Sequence, residues 1–463
     1  MVSILGANSV SGGYEVSNSL RFDDGSSAYL NRTQTAGNRR TWTWSGWIKR
    51  GIVDTRQNIL SAGIDGNDES QLRFDATGYL RFKESTGNSP ELLLDTNALF
   101  RDPAAWYHIV VAVDTTQSTD SDRVKIYVNG SQVTSFNSPN YPSQNYDTRF
   151  NNNSQATYLG LNVPAHTDYY DGYMTEVNFV DGSQKAPTDF GEFNDNGVWI
   201  PKKYSGSYGT NGYFLQFKQT GTSQNASGIG ADTSGQGNHF AVANLAGTDI
   251  TTDTCTNNFC TLNPVDKDGH TNAEGNLEVS GNVVYGMQRG TIGASSGKWY
   301  FEARLDVYQN DTAIALANEN ENIFTRFSGE TTNSVGYLAD GRFFYNGSAT
   351  SYSSLSAGNI FQIAFDADSG KIWIGKNNTW QNSGDPANGT GQVQTVSWNF
   401  FLPTARTVNN NGNGQLHFNF GQDSSFSGAS TAQNNTDGKY GDFYYAPPSG
   451  FYALCTKRLA EFG

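Results

Sequence analysis

The feature of the sequence that most constrains its fold is a strand–turn–strand pattern that occurs twice, far apart in the chain. In the first copy, an apolar stretch at 107–114 is followed by a polar turn and an alternating stretch at 123–130. In the second, the stretch at 361–366 leads through an acidic turn to 371–377. Each copy predicts a β-hairpin, because two strand-like runs flank a short turn. Two such hairpins among many other short strands predict an all-β fold of two antiparallel β-sandwiches with almost no helix.

The composition agrees with many short strands joined by tight turns. Aromatic residues make up 13% of the 463 residues although hydrophobic residues make up only 36%, and 51 residues are glycine. Glycine and small polar residues favour turns, and no window keeps apolar residues at helical spacing. A chain of this length can form two or three domains with full cores.

Alternation within the strands predicts which side chains share a face. Residues two apart in a strand point to the same side, so three groups are expected to face a core. These groups are Trp42 with Trp44; Trp299, Phe301, Ala303 and Leu305; and Leu416, Phe418 and Phe420. Trp47 and Trp373 also lie on predicted strands and are expected to be buried.

A turn-rich stretch of the sequence indicates the boundary between the two sandwiches. We predict an N-terminal arm at 1–18, a first sandwich at 19–218, a turn-rich linker at 219–265, and a second sandwich with a C-terminal tail at 266–463. The stretch at 212–217 is interpreted as the last strand of the first sandwich. Strands are expected to resume at 276–279 and 283–285.

Charge and hydropathy exclude several classes of function. The net charge is −14, and no basic face is visible, so we expect no nucleic-acid partner. No apolar run approaches the roughly 20 residues that span a bilayer, and residues 1–8 lack the features of a signal peptide. We therefore expect no membrane association. A surface rich in uncharged polar residues without an export signal is typical of a component of a virus particle.

The three cysteines do not form a disulfide framework. Cys255 and Cys260 are close enough in the chain for a local bridge, and this alternative stays open, while Cys455 lies near the C-terminus. A structural zinc site would need a fourth ligand, and no His or Cys pair completes the spacing.

Two sets of segments carry resemblances to known families. In the N-terminal half, the segments at 19–30, 44–50, 106–114, 125–130 and 171–177 resemble the concanavalin A-like (laminin G-like) jelly-roll superfamily. In the C-terminal half, the segments at 297–302, 335–342, 358–366, 371–377 and 418–422 resemble a SPRY-type sandwich. The resemblances imply a laminin G-like jelly roll followed by a SPRY-like sandwich.

The pairing of the two halves, with 11–15 in front and 256–259 between them, resembles a class of bacteriophage and prophage virion proteins. Cys255 and Cys260 stand where such relatives tend to have proline and alanine. The resemblance implies a structural protein at the outer surface or tail of the virion, as a tail fibre, spike or capsid appendage that attaches to a host-surface glycan or protein. The implied partners are other virion proteins and further copies of the chain, with a trimer as one option. A joint that binds other virion proteins is the alternative, and a secreted glycan-degrading enzyme is a third.

Enzyme activity lacks a sequence signature. Laminarinase-like jelly rolls need a Glu-x-Asp-x-x-Glu strand to aim two carboxylates into a cleft, and none is present. The segment at 301–306 comes nearest, but its carboxylates are four residues apart and lie in the other half of the chain. We therefore expect no catalytic residues and no enzyme.

Ligand-binding candidates are aromatic residues in loop-like segments, since exposed rings stack on sugar faces. They are Tyr141, Tyr146, Tyr169 and Tyr170 in the first half and Tyr352 and Trp380 in the second. For each of them, plain packing or a protein contact is the alternative.

No cofactor is expected, with calcium as the alternative. The candidate ligands are Asp65, Asp68 and Glu69 in one turn and Asp120 with Asp122 in another. The alternative is that these acidic residues cap turns and remain solvated.

Overall fold

The structure is a computed structural model and describes residues 13–65, 67–153, 155–163, 167–281, 285–408 and 413–463. The described residues form two compact units that divide between Thr256 and Asn257. We call residues 13–256 the N-terminal unit and residues 257–463 the C-terminal unit.

The N-terminal unit is built almost entirely from strands. In chain order its described strands are β1 (Ser19–Phe22), β2 (Tyr29–Thr33), β3 (Thr41–Arg50), β4 (Gln57–Asp65), β5 (Asp68–Phe74), β6 (Tyr79–Thr86), β7 (Ser89–Leu99), β8 (Trp106–Asp114), β9 (Val124–Val128), β10 (Ser131–Gln132), β11 (Ala156–Leu159), β12 (Gly172–Asp181), β13 (Gly191–Phe193), β14 (Trp199–Pro201), β15 (Tyr213–Leu215), β16 (Ala241–Ala243) and β17 (Ile250–Thr251). A single-turn helix, α1 (Asp120–Arg123), lies between β8 and β9, and short 3₁₀ turns lie at Pro187–Asp189 and Gly247–Asp249.

Two antiparallel sheets form the sandwich of this unit. Among the described residues, an eight-stranded sheet has the order β10-β9-β8-β3-β12-β1-β17, with β15 beside β12. A seven-stranded sheet has the order β16-β2-β11-β4-β5-β6-β7. The core between them contains Trp42 and Trp44 from β3 and Phe82 from β6, and the ring of Trp42 stacks on that of Phe179 at 5.5 Å.

The eight-stranded sheet is covered on its outer face as well. Trp47, Trp106, Tyr173 and Trp199 form one apolar cluster there, and a second cluster forms around Phe190 and Phe214. This double coverage explains why every residue of β3 after Thr41 is buried.

The last segment of the N-terminal unit is held by a buried ion pair. Lys49 Nζ lies 2.7 Å from the Asp253 carboxylate, and both side chains are almost completely buried. Nearby, β17 pairs with β1, and β16 pairs with β2. Much of the stretch predicted as a linker at 219–265 therefore belongs to the first sandwich, and the stretch at 212–217 is followed by two further strands of that unit. Short edge strands among glycine-rich turns carry too little apolar pattern to be recognised.

The C-terminal unit is a second antiparallel sandwich. Its described strands are β18 (Leu262–Lys267), β19 (His270–Ala273), β20 (Glu278–Gly281), β21 (Gln288–Gly290), β22 (Lys298–Val307), β23 (Ala313–Ala317), β24 (Ser334–Leu338), β25 (Arg342–Tyr345), β26 (Ser348–Ser351), β27 (Ile360–Asp366), β28 (Lys371–Lys376), β29 (Thr379–Trp380), β30 (Gln394–Thr395), β31 (Leu402–Arg406), β32 (Gly414–Asn419) and β33 (Tyr452–Ala453). The helix α2 (Thr456–Phe462) follows, and 3₁₀ turns lie at Glu274–Asn276 and Gln381–Ser383.

One of its described sheets has seven strands in the order β18-β21-β31-β23-β24-β25-β26. The other has nine, in the order β19-β20-β32-β22-β27-β28-β29, with β30 beside β28 and β33 beside β22. The core between them holds the predicted faces of β22 and β32, including Trp299, Phe301 and Phe418, against Ile314 and Tyr337.

A buried carboxylate organises the outer face of the nine-stranded sheet. Glu302 accepts hydrogen bonds from the backbone N–H groups of Tyr444 (2.9 Å) and Tyr445 (2.7 Å) and from the Tyr300 hydroxyl (2.8 Å). It thereby fixes a C-terminal loop to β22. Burial raises the pKa of Glu302 to about 7, although these hydrogen bonds oppose the shift.

The predicted fold class is confirmed: the chain is all-β, with two antiparallel sandwiches and almost no helix. Residues 1–12 of the predicted N-terminal arm and residues 283 and 284 of one predicted strand lie outside the described residues. All three cysteines are free thiols in buried positions, so the local bridge is not formed. No helix in the described parts of the chain is both long and apolar enough to cross a membrane.

The first prediction concerns the Lys49–Asp253 pair. Replacing Lys49 with methionine leaves a buried carboxylate without its cation, so K49M should lower the free energy of unfolding by about 3–5 kcal/mol. The double variant K49M/D253N should recover most of this loss, because it removes both charges. Urea denaturation of the full chain measures each value.

The matched control is the surface pair Arg40–Asp147, at 2.8 Å with side chains 45% and 47% exposed. R40M should change the free energy of unfolding by less than about 1 kcal/mol. Equal losses in R40M and K49M would contradict the role of the buried pair.

The second prediction concerns pH and Glu302. Its pKa is about 7 in the folded state and 4.5 for an ordinary exposed glutamate, so the unfolded chain releases this proton first as pH rises. The stabilisation is complete below pH 4.5 and is lost as pH approaches 7, by about 3 kcal/mol in total. The difference in unfolding free energy between the wild type and E302Q should therefore fall across this pH window. A constant difference would show that Glu302 ionises at the same pH in both states.

Candidate functional site

The outer face of the seven-stranded sheet differs from the other sheet faces of the N-terminal unit. Leu30, Leu60 and Leu159 point into the core, so the alternating neighbours Tyr29 and Tyr158 point to the opposite side. Whereas apolar clusters cover the outer face of the eight-stranded sheet, this face carries polar and aromatic side chains. It is therefore the face of the sandwich that is equipped to meet a ligand.

Strand register aligns a polar row across this face. On five adjacent strands, directly paired positions bring together Asn31 (β2), Tyr158 (β11), Ser61 (β4), Gln71 (β5) and Lys83 (β6). Directly opposed side chains on neighbouring strands lie about 4.5–5.5 Å apart at Cβ. We call these five residues the polar row.

Three tyrosines lie at the β2–β11 end of the polar row. The ring centroid of Tyr29 lies 5.9 Å from that of Tyr158 and 6.4 Å from that of Tyr169, distances typical of interacting aromatic pairs. All three side chains are half-buried, so part of each remains open to solvent. Burial, together with the nearby Tyr29, raises the pKa of Tyr158. We call these residues the tyrosine patch.

Hydrogen bonds fix the central side chains of the polar row. The Gln71 amide donates to Asn162 at 2.9 Å and to Glu69 at 2.5 Å, and its oxygen accepts from Arg73 at 2.7 Å. Lys83 donates to the other oxygen of Glu69 at 2.7 Å. Gln71 is only 2% exposed, so this network is preformed under its neighbours and does not depend on a ligand to order it.

Of the predicted aromatic ligands in this unit, the structure brings Tyr169 into the tyrosine patch. The expectation that Tyr170 is exposed is wrong: its side chain is 0% exposed, and its hydroxyl donates to the Lys49 carbonyl at 2.7 Å. Consecutive residues of an extended segment point to opposite sides, so when Tyr169 faces outward Tyr170 faces the core. Tyr146 lies within 3.1 Å of the Thr86 hydroxyl, and Tyr141 packs against the edge of the core.

The candidates in the C-terminal unit each pack on a ring of that unit. The centroid of Trp380 lies 6.2 Å from that of Tyr300, and the centroid of Tyr352 lies 6.3 Å from that of Phe343. Both side chains are half-buried.

The predicted calcium ligands do not form a shared group of three among the described residues. Asp68 is paired with Arg149, Glu69 with Lys83, and Asp122 with Lys125. Asp65 accepts from the backbone N–H groups of Asn67 and Asp68, and Asp120 accepts from that of Ser121. These are the contacts of turn caps and ion pairs.

A different acidic group of the N-terminal unit could hold a cation. Oxygens of Asp23, Asp24 and Asp171 all lie within 4.8 Å of one another. Burial, and then the charge of Asp23, raise the pKa of Asp24. Carboxylate oxygens in such a group are the ligands that Ca²⁺ prefers. The sequence did not reveal this group because Asp171 is far from the other two in the chain and is brought to them by the pairing of β1 with β12.

Sequence reasoning missed Tyr29, Tyr158 and Gln71. A usable signal was present at residues 29–31, where Tyr29 and Asn31 flank the apolar Leu30 as the outward positions of a strand. This signal predicts a site only when the neighbouring strands are known. One partner of β2 is β11, which lies more than a hundred residues away in the chain.

Three solved structures are among those to which the chain is similar. The SPRY domain of human HERC1 is similar at 16% identity, covering 34% of this chain and 96% of that one, with a TM-score of 0.28. The PSpry domain of TRIM65 is similar at 13% identity, covering 35% of this chain and 88% of that one, with a TM-score of 0.28. The heptameric SAP-like pentraxin of Limulus polyphemus is similar at 14% identity, covering 37% of this chain and 80% of that one, with a TM-score of 0.27.

No curated protein matches the chain. A family model does: the concanavalin A-like lectin/glucanases superfamily, in its Laminin_G_3 form, matches residues 23–188. This stretch lies within the N-terminal unit and includes the tyrosine patch and the polar row. The lectin/glucanase-type fold of this unit suggests a carbohydrate-binding or adhesion module.

Proposed function

We propose that the chain is a non-enzymatic adhesion protein that binds a surface glycan on the outer face of the seven-stranded sheet. The observation that carries the proposal is the tyrosine patch lying at one end of a polar row whose side chains are already fixed. A sugar ring has apolar C–H faces and a rim of hydroxyl groups. The patch supplies rings for the faces, and Asn31 and Lys83, the half-buried polar members of the row, supply polar groups for the hydroxyls.

Preorganisation supports this use of the face. Binding loses free energy when flexible side chains must be ordered, at about 0.5–1.5 kcal/mol for each one. Gln71 and Glu69 are held by hydrogen bonds to Asn162, Arg73 and Lys83 before any ligand arrives. Ligand binding would therefore lose this free energy of ordering at few side chains.

The carboxylates of this face support binding without hydrolysis. Glu69 is paired with Lys83 at 2.7 Å, and Asp95 is paired with Arg81 at 2.6 Å. A glycosidase places two carboxyl groups on either side of the bond to be cleaved, one of them as a proton donor. Each of these two carboxylates is instead buried and held by a cation.

We place this adhesion module on the outside of a bacteriophage virion, as a tail fibre, spike or capsid appendage. The resemblance of the paired halves to phage and prophage virion proteins supports this setting. Several copies in one particle would sum weak single-site binding into firm attachment. A joint that binds other virion proteins is the alternative, and in that case a protein would cover the tyrosine patch.

The third prediction tests the tyrosine patch. Y158A and Y169A should each weaken binding about two- to tenfold, since losing one aromatic contact costs about 0.5–1.5 kcal/mol and 1.4 kcal/mol is tenfold. Y158F should bind nearly as well as the wild type, because it keeps the ring. The measurement is binding of the full chain to an array of bacterial O-antigen and capsule oligosaccharides, followed by titration of the glycans that bind.

Y285A is the matched control, because Tyr285 is 55% exposed and lies in the C-terminal unit. Glycan binding that is the same in Y158A, Y169A and Y285A would contradict the proposed site. Release of new reducing ends from the bound glycan would contradict the non-enzymatic role. In cryo-electron microscopy of particles that contain the chain, a tyrosine patch buried against another virion protein would favour the joint.

A further inference from the structure

The outer face of the nine-stranded sheet carries a second row of paired side chains in the C-terminal unit. Glu278 on β20 pairs with His417 on β32, and His417 pairs with Arg304 on β22. Their alternating neighbours Leu277, Leu305 and Phe418 are buried in the core of this unit. The three polar side chains therefore stand on the side of the sheet away from the core.

A β-bulge adds a fourth side chain to this row. Leu305 pairs with Leu416 and Val307 with Gln415, so Asp306 is the extra residue of β22 between two consecutive pairs. A bulge of this kind re-aims a side chain and often lies next to a functional site. Ligand atoms of Asp306, Glu278 and His417 all lie within 4.8 Å of one another.

These residues line a cavity of about 260 Å³. Its wall also contains Glu274, Gln415, Phe426 and Ser427. One water takes up about 30 Å³ in the liquid, so the cavity has room for an ion and several waters. Three carboxylates face a single guanidinium, that of Arg304, so these four groups carry a net charge of −2 and favour a cation. Arg304 contacts Asp306 through Oδ1, and Oδ2 remains as the second ligand atom of that carboxylate.

The contacts of His417 match those of a metal-binding histidine. Its side chain is 2% exposed, and its Nε2 lies 3.0 Å from the Ser427 hydroxyl. When Nε2 donates its proton to Ser427, Nδ1 turns a lone pair toward Glu278. Metal-bound histidines usually hold their other ring nitrogen in this way. The ring is also fixed by Phe426, whose centroid lies 6.1 Å away in an edge-on contact.

The distance between His417 and Glu278 is within the reach of one small transition-metal ion. His417 Nδ1 lies 4.0 Å from Glu278 Oε2, which is longer than a hydrogen bond. Bonds from Zn²⁺ to nitrogen and carboxylate oxygen are about 2.0–2.2 Å, so one ion can reach two atoms that are up to about 4.2 Å apart. Gln415 donates to the other oxygen of Glu278 at 2.5 Å and orients that carboxylate.

We propose that Glu278, Asp306 and His417 bind a divalent transition-metal ion, Zn²⁺ or Mn²⁺, on the outer face of the nine-stranded sheet. One imidazole with two carboxylates suits these ions better than Ca²⁺, which prefers six to eight oxygen ligands. Ser427 and Gln415 are positioning residues that hold His417 and Glu278. This site is independent of the glycan-binding face proposed for the N-terminal unit.

The fourth prediction is tested by titrating the EDTA-stripped full chain with ZnCl₂, MnCl₂ and CaCl₂ in a calorimeter. Zn²⁺ or Mn²⁺ should bind more tightly than Ca²⁺ at this site. E278Q, D306N and H417Q should each weaken binding about 100-fold or more, and S427A about 10-fold, as expected for ligands and for a residue that orients one. Bound Co²⁺ should show visible d–d absorption that E278Q removes.

Two controls separate this site from other acidic groups. E319Q changes an exposed glutamate of the same unit, and D24N changes the acidic group of the N-terminal unit. Both should retain wild-type Zn²⁺ affinity. Because His417 is buried and H417Q can fail to fold, E278Q and D306N carry the test, with circular dichroism as the check on folding. Absence of Zn²⁺ and Mn²⁺ binding, affinity unchanged in E278Q and D306N, or a tighter binding of Ca²⁺ that D24N retains and E278Q removes would each overturn the proposal.

Discussion

The pleat of paired strands is the constraint on which the rest of the structure depends. Along each strand successive side chains point to opposite faces, and pairing with a neighbour locks the whole strand into one register. In the N-terminal unit, burying Leu30 and Leu159 between the sheets fixes Tyr29 and Tyr158 on the other side. The tyrosine patch is thus a geometric consequence of the core, because a slip of one residue would exchange the two sets.

The same constraint shapes the C-terminal unit. Trp299, Phe301 and Leu305 face the core from β22, so Tyr300, Glu302 and Arg304 face away from it. Glu302 then organises a loop by accepting two backbone N–H groups, and Arg304 joins the row that contains His417. The bulge at Asp306 interrupts strict alternation, and it does so where the cavity lies.

Much of the fold was predictable from local sequence. The two hairpins and the buried faces of β3, β22 and β32 depend on alternation within a few residues, and the structure buries all of the predicted tryptophans. The site was less predictable, because a row such as Asn31–Tyr158–Ser61–Gln71 is assembled from strands that are distant in the chain. Prediction was also incomplete within one segment. The loop-like sequence around Tyr170 did not show which of the two adjacent tyrosines faces inward. The boundary of the first sandwich was also hidden, since the strands that complete it are only two and three residues long.

In both units the first and last described segments are paired with each other. Ser19 pairs with Thr251 in the N-terminal unit, and in the C-terminal unit Phe259 bridges to Cys455 while the Thr456 N–H donates to the Asn258 carbonyl at 2.9 Å. During synthesis on a ribosome, β1 must therefore wait for more than two hundred later residues before it gains its β17 neighbour. Until then one edge of the eight-stranded sheet is open to other nascent chains, so the pairing of β17 is the step that closes this edge. Once that step is complete, each unit is a closed module with adjacent ends, a property that allows a domain to be inserted into another chain without disturbing its host.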